Sequence, residues 1–203
     1  GTVGGALAVG ENDIRSLGRG LIRTSLLQIR YVSAEGRIVS SGGPTVKNVS
    51  GFDLPRLMVG SLGTLGLLAE ASSRTNPIPS VSRWVSSANA DPIAVYDALL
   101  APSAVLWDGS TTWVQLEGHQ ADVDAQHRAL APFGTFDEVA VAGEELPVAL
   151  PANRWSMAPA DLPMLVDQRG AAGSTGPGHF VAAVGLGLVF GENSQPLRRA
   201  DPA

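Results

Sequence analysis

Glycine is the residue type with the most potential for ligand contact in the first third of the chain. Four glycine clusters fall within residues 1–66: GTVGG, GRG, SSGG and GSLGTLG. Glycine adopts positive φ angles and lets backbone N–H groups approach a phosphate or a flat ring without an intervening Cβ. The clusters therefore indicate either a wrapped ligand or a series of turns, and composition alone favours neither.

The spacing of these glycines matches neither of two common nucleotide-binding motifs. GTVGGALAVG has glycines at positions 1, 4 and 5, unlike GxGxxG, and no P-loop lysine follows a glycine run. A nicotinamide-binding Rossmann domain and a P-loop domain are therefore disfavoured. Hydrolase chemistry has little support, because the sequence contains no GxSxG motif.

The histidines and tryptophans are weaker candidates for chemistry. His119 lies at the start of a predicted helix and His127 lies within it, and no third metal ligand is close in sequence. We therefore expect both histidines to be solvated residues of the helix rather than metal ligands. We expect His179 at the surface. The tryptophans are expected in a core or at its edge rather than stacked on a substrate; they are Trp84, Trp107, Trp113 and Trp155.

Local patterns predict the elements that position the glycine clusters. Residues 25–43 alternate apolar and polar side chains around a turn at Gly36, which predicts a β-hairpin. Asp53 as N-cap and Pro55 in the first turn predict a short helix that ends at Gly60. The chain then enters GSLGTLG, and the apolar residues from Leu67 onward predict a buried strand.

A second pattern begins after Pro77 and Pro79, which mark a domain boundary. Residues 80–141 predict the order βαββαβ, a ferredoxin-like arrangement. Its first helix has Asp91 as N-cap and an apolar stripe; the stripe comprises Ile93, Val95, Tyr96, Leu99 and Leu100. Residues 142–203 are less regular, and FVAAVGLGLVF at 180–190 predicts a single buried strand.

The bulk composition excludes several classes of protein. With 203 residues, of which 44% are hydrophobic, the chain is long enough to bury a core. A net charge of −5 without a basic cluster disfavours nucleic acid as a partner, and no apolar run reaches the roughly 18 residues of a membrane span. The absence of cysteine excludes disulfides and an iron–sulfur cluster bound by this chain alone, and is compatible with the cytoplasm.

The longer motifs resemble one protein family. TVGGALAVG, then KNVSGFDLPRLMVGSLGTLGLLAE and PIP, resemble the second half of the PCMH-type FAD-binding domain of vanillyl-alcohol oxidase relatives, and within them the FAD-binding subunit of glycolate oxidase. The resemblance implies an α+β fold: a partial FAD-binding domain at 1–79, a ferredoxin-like cap at 80–141 and a return segment at 142–203. It also implies a fragment that lacks the N-terminal part of the FAD domain and the C-terminal helix.

The same resemblance implies which residues contact FAD, mostly through their backbone. The family's loop along the flavin and pyrophosphate matches Thr2, Val3, Gly4 and Gly5. A second flavin-side loop matches Gly10, Arg15 and Gly20. In the last glycine cluster, Gly63 and Gly66 would shape the turn, and the Leu67 backbone would bind the adenine. This predicts that Gly66→Val blocks flavin binding while the cap stays folded.

Three further residues would face the substrate. Lys47 and Ser50 match positions that relatives use for polar groups near a 2-hydroxy-acid carboxylate, and Arg154 lies in the return segment. An arginine there could hold a carboxylate with two hydrogen bonds or form a structural salt bridge. The alternative that Lys47 is a solvated lysine in a loop carries equal weight. The chain differs from the family pattern at Thr24, in place of aspartate, and Val46, in place of arginine.

The activity that the resemblance implies is FAD-dependent oxidation of a 2-hydroxy acid such as glycolate. Hydride would pass to FAD, and electrons would pass on to an iron–sulfur partner subunit in an assembly that includes a second flavoprotein subunit. Two alternatives stay open: a sugar or alditol oxidase that uses oxygen, and a non-catalytic remnant that serves as an interaction module. The resemblance names no catalytic residue in this chain.

Overall fold

The architecture comes from a computed structural model that describes residues 1–45, 52–167 and 178–193. The chain divides into two compact units, Gly1–Ile78 and Pro79–Ala203. Lys47 and Ser50 lie outside the described residues, as does Val46. Each unit is described here by itself.

The first unit is a three-stranded antiparallel sheet with short helices. Its elements in chain order are α1 (Val3–Val9), α2 (Ser16–Arg19), α3 (Ile22–Ser25), β1 (Leu26–Val32), β2 (Ile38–Gly42), α4 (Leu54–Met58) and β3 (Leu67–Ser73). The strand order is β2-β1-β3. The predicted hairpin is confirmed, because β1 pairs with β2 from Gln28 opposite Gly42 to Val32 opposite Ile38.

One face of this sheet is apolar and the other is polar. Leu7 of α1 and Met58 of α4 pack with Leu26 and Ile29 of β1 in a buried cluster. The opposite face carries an ion pair between Arg30 and Glu70, with 2.9 Å between Nη1 and Oε2. Helices α1 and α4 thus cover the apolar face of the sheet, as is usual for an antiparallel sheet with alternating residues.

Helix α4 begins where the sequence predicts. The Asp53 carboxylate accepts a hydrogen bond from the Arg56 backbone N–H at 3.2 Å, and Pro55 occupies the first turn. The helix ends at Met58, and Gly60 follows with a φ of 81°. The short helix therefore buries Met58 and delivers the chain directly into the glycine turn.

The second unit is built on one seven-stranded sheet. Its elements in chain order are β4 (Val81–Ala88), α5 (Pro92–Ala98), β5 (Ala104–Trp107), β6 (Thr111–Gly118), α6 (Gln120–Ala129), β7 (Asp137–Val139), β8 (Asn153–Ser156), α7 (Met164–Asp167), β9 (Phe180–Ala183) and β10 (Leu188–Gly191). The strand order is β7-β4-β6-β5-β9-β10-β8. From β4 to β7 the elements follow the predicted βαββαβ order.

The sheet continues past the predicted cap boundary at residue 141. Strand β5 pairs with β9, and β10 joins β9 to β8. The ferredoxin-like assignment and the separate return segment stay predictions, since three further strands extend the same sheet.

In helix α5 the predicted N-cap is confirmed, but the predicted apolar stripe is wrong at one position. Asp91 Oδ1 accepts hydrogen bonds from the Ile93 and Ala94 N–H groups at 2.9 and 3.2 Å. Val95 is fully buried, but Leu100 is 96% exposed. The helix ends at Ala98, so Leu100 no longer follows the helical period and points away from the core.

The prediction of a single strand at 180–190 is wrong. Strands β9 and β10 form a hairpin in which Ala183 pairs with Leu188. Gly185 and Gly187 have φ angles of 86° and 64°, which permit the tight reversal. Phe180 is fully buried and its ring meets that of Trp107 edge-on, with 5.6 Å between centroids.

Helix α6 is tied to the sheet by an ion-pair network. Arg83 on β4 lies between Asp124 of α6, at 3.4 Å, and Glu138 of β7, at 3.5 Å. A hydrogen bond from Gln120 lowers the pKa of the Asp124 carboxyl, and the nearby positive charge of Arg83 lowers it further. Because the folded-state pKa is depressed, the stabilisation is present above the unfolded pKa and is lost as the pH falls through the folded value.

Asp124→Asn tests this network. We expect a small loss of stability at neutral pH, because exposed ion pairs contribute little. The difference between variant and wild type should shrink as the pH falls through the lowered pKa of the folded-state Asp124 carboxyl, where the wild-type side chain also becomes neutral. Urea unfolding at several pH values measures it, and a pH-independent difference would contradict the electrostatic explanation.

Candidate functional site

The segment Thr2–Gly5 begins a helix, which corrects the prediction of a loop. Thr2 has an extended backbone and is the N-cap of α1: its Oγ1 accepts a hydrogen bond from the Gly5 N–H at 3.1 Å. A side-chain acceptor at this position satisfies one of the unpaired N–H groups of the first turn. Gly4 and Gly5 therefore have helical backbone, and loop flexibility does not account for them.

Backbone hydrogen bonds hold the last glycine cluster against α1. The Gly60 N–H donates to the Leu7 carbonyl at 2.9 Å, and the Leu62 N–H donates to the Ala8 carbonyl at 2.8 Å. A Cβ at Gly10 would lie 2.9 Å from Gly60 Cα, so this contact requires glycine. The first and last glycine clusters are thus neighbours in space.

A cavity of about 390 Å³ lies between these two clusters. Its lining residues are Thr2, Gly4, Gly5, Ala8, Gly63, Gly66, Leu67 and Leu68. Six of the ten residues predicted to contact FAD are in this set. A hollow of about 350 Å³ adjoins it along α1 and β3, sharing Gly4 and Leu68, and includes Val3.

The glycines around the cavity fall into two groups. A Cβ at Gly4 or at Gly63 would meet no atom within 4 Å, so packing does not require either residue to be glycine. A Cβ at Gly66 would lie 2.7 Å from both the Tyr31 ring and the Val32 carbonyl oxygen. Gly66 is therefore needed by the fold itself, whereas Gly4 keeps the cavity open.

Of Gly4 and Gly63, the two glycines with free space around the Cβ position, Gly4 says more about a possible ligand. A glycine inside a helix costs about 1 kcal/mol relative to alanine. Gly4 is helical and has no positive φ, unlike Gly63 at 76°, so neither packing nor backbone geometry explains it. The open space in front of Gly4 leaves its backbone accessible to a ligand.

Leu67 begins β3 opposite Val32, and its side chain is 71% exposed. This corrects the prediction that Leu67 enters a buried strand. Leu62, in the glycine turn, has a φ of 52°, which is unusual for a residue with a branched side chain. Its N–H bond to α1 holds that conformation, and its side chain is also 71% exposed.

The second predicted flavin-side segment lies apart from the lining of this cavity. Arg15 is 6% exposed, and its Nη1 lies 3.7 Å from the Asp13 carboxylate. Gly20 ends α2 with a φ of 85°. Together with Gly10, these residues shape the path from α1 to β1.

Of the residues predicted to face a substrate, the structure describes Arg154 alone. It lies on β8 opposite Phe190, in the second unit, and is exposed.

The histidine predictions hold in part: His119 and His179 are exposed, but His127 is half-buried, with Nε2 3.2 Å from the Phe136 carbonyl oxygen. Among the described residues, no cluster of acidic, histidine or cysteine side chains could hold a metal ion.

Two lining residues, Ala8 and Leu68, have no sequence signal that predicts them. Ala8 joins the cavity because it lies one helical turn after Gly4. Leu68 joins it because β3 passes beside α1.

Trp84 and Trp107 are buried as predicted, at 2% and 8% exposure, in the second unit.

Thr2→Ala is expected to destabilise the first unit by about 1 kcal/mol through loss of the N-cap. Thr2→Ser should retain most of that stability, since serine offers the same acceptor. Chemical denaturation followed by circular dichroism measures both. Equal stability of the alanine and serine variants would contradict the capping role of Thr2.

Sequence comparison with curated proteins finds two glycolate oxidase subunits among the relatives of this chain. The chain is 34% identical to the glycolate oxidase subunit GlcE of Escherichia coli over 178 residues, 81% of this chain and 50% of that protein. It is 38% identical to the glycolate oxidase subunit GlcD of Bacillus subtilis over 107 residues, 53% of this chain and 21% of that protein. The chain is thus similar to subunits of glycolate oxidase and, at lower coverage, to proteins named FAD-linked oxidoreductases.

A further relative matches a shorter stretch of the chain. A D-lactate dehydrogenase of Archaeoglobus fulgidus is 43% identical over 76 residues, 37% of this chain and 17% of that protein. The chain spans half the length of GlcE and less of the other relatives. No protein-family model matches the sequence.

Solved structures agree on the fold. An alkyldihydroxyacetonephosphate synthase matches with a TM-score of 0.52 and 16% identity, over 67% of this chain and 32% of that one. The α+β, PCMH-type fold predicted from the sequence is thereby confirmed. Among the described residues, no helix is long and apolar enough to cross a membrane.

Proposed function

We propose that this chain contributes an FAD-contacting surface to an oxidoreductase that acts on 2-hydroxy acids. The observation that carries the proposal is the cavity between α1 and the glycine turn, kept open by a helical glycine that packing does not require. A characterised relative over most of the chain is a glycolate oxidase subunit.

The cavity residues would bind FAD mostly through their backbone. Thr2, Val3, Gly4 and Gly5 would contact the cofactor from α1, and Gly63, Gly66 and Leu67 from the turn. Leu67 suits this role because β3 is the last strand of its sheet in the part of the chain that the structure describes, so no described strand pairs with the other side of its backbone. Gly10, Arg15 and Gly20 would form the second flavin-side segment. FAD, when bound, accepts the hydride of the oxidised substrate.

The substrate would be a small 2-hydroxy acid such as glycolate. Relatives named D-lactate dehydrogenase and D-2-hydroxyglutarate dehydrogenase favour this class over sugars and alditols. A carboxylate substrate needs a cation that neutralises and orients it. We assign that role to Lys47 and Arg154, with Ser50 as a hydrogen-bonding partner.

The partners would be further subunits. GlcE and GlcD are both named as glycolate oxidase subunits, which favours an assembly with a second flavoprotein subunit. Electrons would leave through an iron–sulfur cluster, and that cluster would belong to another subunit, because this chain has no cysteine to hold it. The same lack of cysteine favours the reducing cytoplasm.

A titration of FAD with the purified chain tests cofactor binding. Binding should quench flavin fluorescence and shift the visible spectrum in a saturable manner. Addition of glycolate or D-lactate without oxygen should then reduce and bleach bound flavin more than an alditol does, and an electron-accepting dye added afterwards should reoxidise the flavin and be reduced itself. An unchanged flavin spectrum at saturating protein would overturn FAD binding by this chain and would favour the interaction module.

A further inference from the structure

Tyr31 packs its ring against the backbone of the last glycine cluster. A Cβ at Gly66 would lie 2.7 Å from Tyr31 Cδ2 and 3.4 Å from Cε2, so the ring lies directly beside the Cα of this glycine. Tyr31 is on β1, is half-buried and packs against the apolar cluster of the first unit. One side chain therefore joins the core of the unit to the turn that lines the proposed cofactor cavity.

A register shift between β1 and β3 brings Tyr31 to this position. Arg30 is opposite Glu70, but the next residue, Tyr31, is opposite Leu68. Ala69 is therefore an extra residue on β3. Without it, the side chains opposite Arg30 and Tyr31 would be successive residues of β3 and not two apart.

The shift lets two residues of β3 point to opposite faces of the sheet. Residues two apart on a regular strand point to the same face. Here Glu70 meets Arg30 on the polar face, whereas Leu68 packs beside Tyr31 against the apolar cluster. Bulges of this kind re-aim side chains and are common next to functional sites. The extra residue thus places Leu68 at the cavity and beside the Tyr31 ring.

The backbone that Tyr31 supports is the part of the turn nearest to β3. Gly66, Leu67 and Leu68 all line the cavity. Hydrogen bonds from the Gly60 and Leu62 N–H groups to α1 hold the beginning of the turn. Tyr31 packs against its end. The two attachments together fix both ends of the segment that lies along the cavity.

Ring carbons make this contact, and the hydroxyl group does not take part in it. An aromatic ring offers a large, flat and rigid contact area. Phenylalanine would keep that area, whereas leucine would keep the apolar character without the flat surface. The two substitutions therefore separate the effect of the ring from the effect of an apolar side chain.

We propose that Tyr31 is a positioning residue for the FAD-contacting backbone of Gly66, Leu67 and Leu68. The ring holds this backbone in the conformation that meets the cofactor, and Tyr31 itself acts through the glycine turn. The inference rests on the proposed function, because FAD is the ligand assigned to that backbone. The order of the turn is a property of this chain alone, so it is measured without FAD.

Tyr31→Leu and Tyr31→Phe test the role of the ring. In the FAD titration, Tyr31→Leu should bind about tenfold more weakly than wild type, and Tyr31→Phe should bind as wild type does. Hydrogen exchange without FAD should show faster exchange of the Leu62 and Thr64 amides in Tyr31→Leu alone, because local opening exposes them. The Gly36 amide, in the hairpin turn, should exchange at the wild-type rate in both variants.

Ile29→Val is the matched control. Ile29 is fully buried on the same strand and in the same apolar cluster, opposite Ala71. The change removes one methylene from the core and lowers stability without touching the turn, so FAD affinity and exchange in the turn should stay at wild-type values. Urea unfolding should show that all three variants fold.

The inference is overturned if Tyr31→Leu keeps wild-type exchange in the turn or wild-type FAD affinity. It is also overturned if Ile29→Val changes both quantities as much as Tyr31→Leu does, since general stability would then explain the effect. If wild type binds no FAD although Tyr31→Leu loosens the turn, the proposed function fails, and the cofactor role of Tyr31 fails with it.

Discussion

Gly4→Leu is expected to weaken FAD binding by about 10- to 100-fold while the first unit stays folded. The leucine side chain would occupy the cavity between α1 and the glycine turn, and displacing such a side chain costs about 1–3 kcal/mol. The fold should tolerate the change, because a Cβ at this position meets no atom within 4 Å. Leucine is also a better helix former than glycine.

Ala6→Leu is the matched control for this prediction. Ala6 lies on the same helix and is exposed, but it lines neither the cavity nor the adjoining hollow along α1 and β3. FAD titration by fluorescence quenching and urea unfolding should be performed on both variants. If Gly4→Leu binds FAD as tightly as Ala6→Leu does, Gly4 does not contact the cofactor and the site lies elsewhere.

The second large effect is expected from Gly66→Val, as a loss of stability in the first unit. The Cβ would lie 2.7 Å from the Tyr31 ring and from the Val32 carbonyl oxygen, at a φ of 154°. Backbone strain and overpacking each cost about 1–3 kcal/mol, so we expect a loss of about 3 kcal/mol or more. The variant should therefore lose FAD binding by unfolding rather than by blocking a preformed site.

The tryptophans make this prediction measurable. All four lie between residues 84 and 155, in the second unit. Tryptophan fluorescence should therefore be unchanged in Gly66→Val, while circular dichroism shows the loss of first-unit structure. Gly36→Val is the control, because that glycine has a φ of 75° but open space around its Cβ. Equal stability of the two variants would show that the Tyr31 contact does not matter.

Local chemistry explains why much of the fold could be predicted. The Asp53 and Asp91 caps, the prolines that follow them and the hairpin around Gly36 are signals contained within a few residues, and each is confirmed. The strand at 180–190 was mispredicted because a continuous apolar run hides its turn: Gly185 and Gly187 reverse the chain without any polar residue between them.

The sequence by itself determined the resemblance to FAD-linked oxidases, the positions of the glycine clusters and several of the neighbouring helices and strands, but not helix α1. Only the tertiary structure decided what each glycine does. Gly10 and Gly66 are glycine because residues distant in sequence press against them, whereas Gly4 faces a cavity. That distinction depends on contacts between α1, β1 and the turn before β3. No short-range pattern encodes such contacts, so it appears only when these elements are packed together.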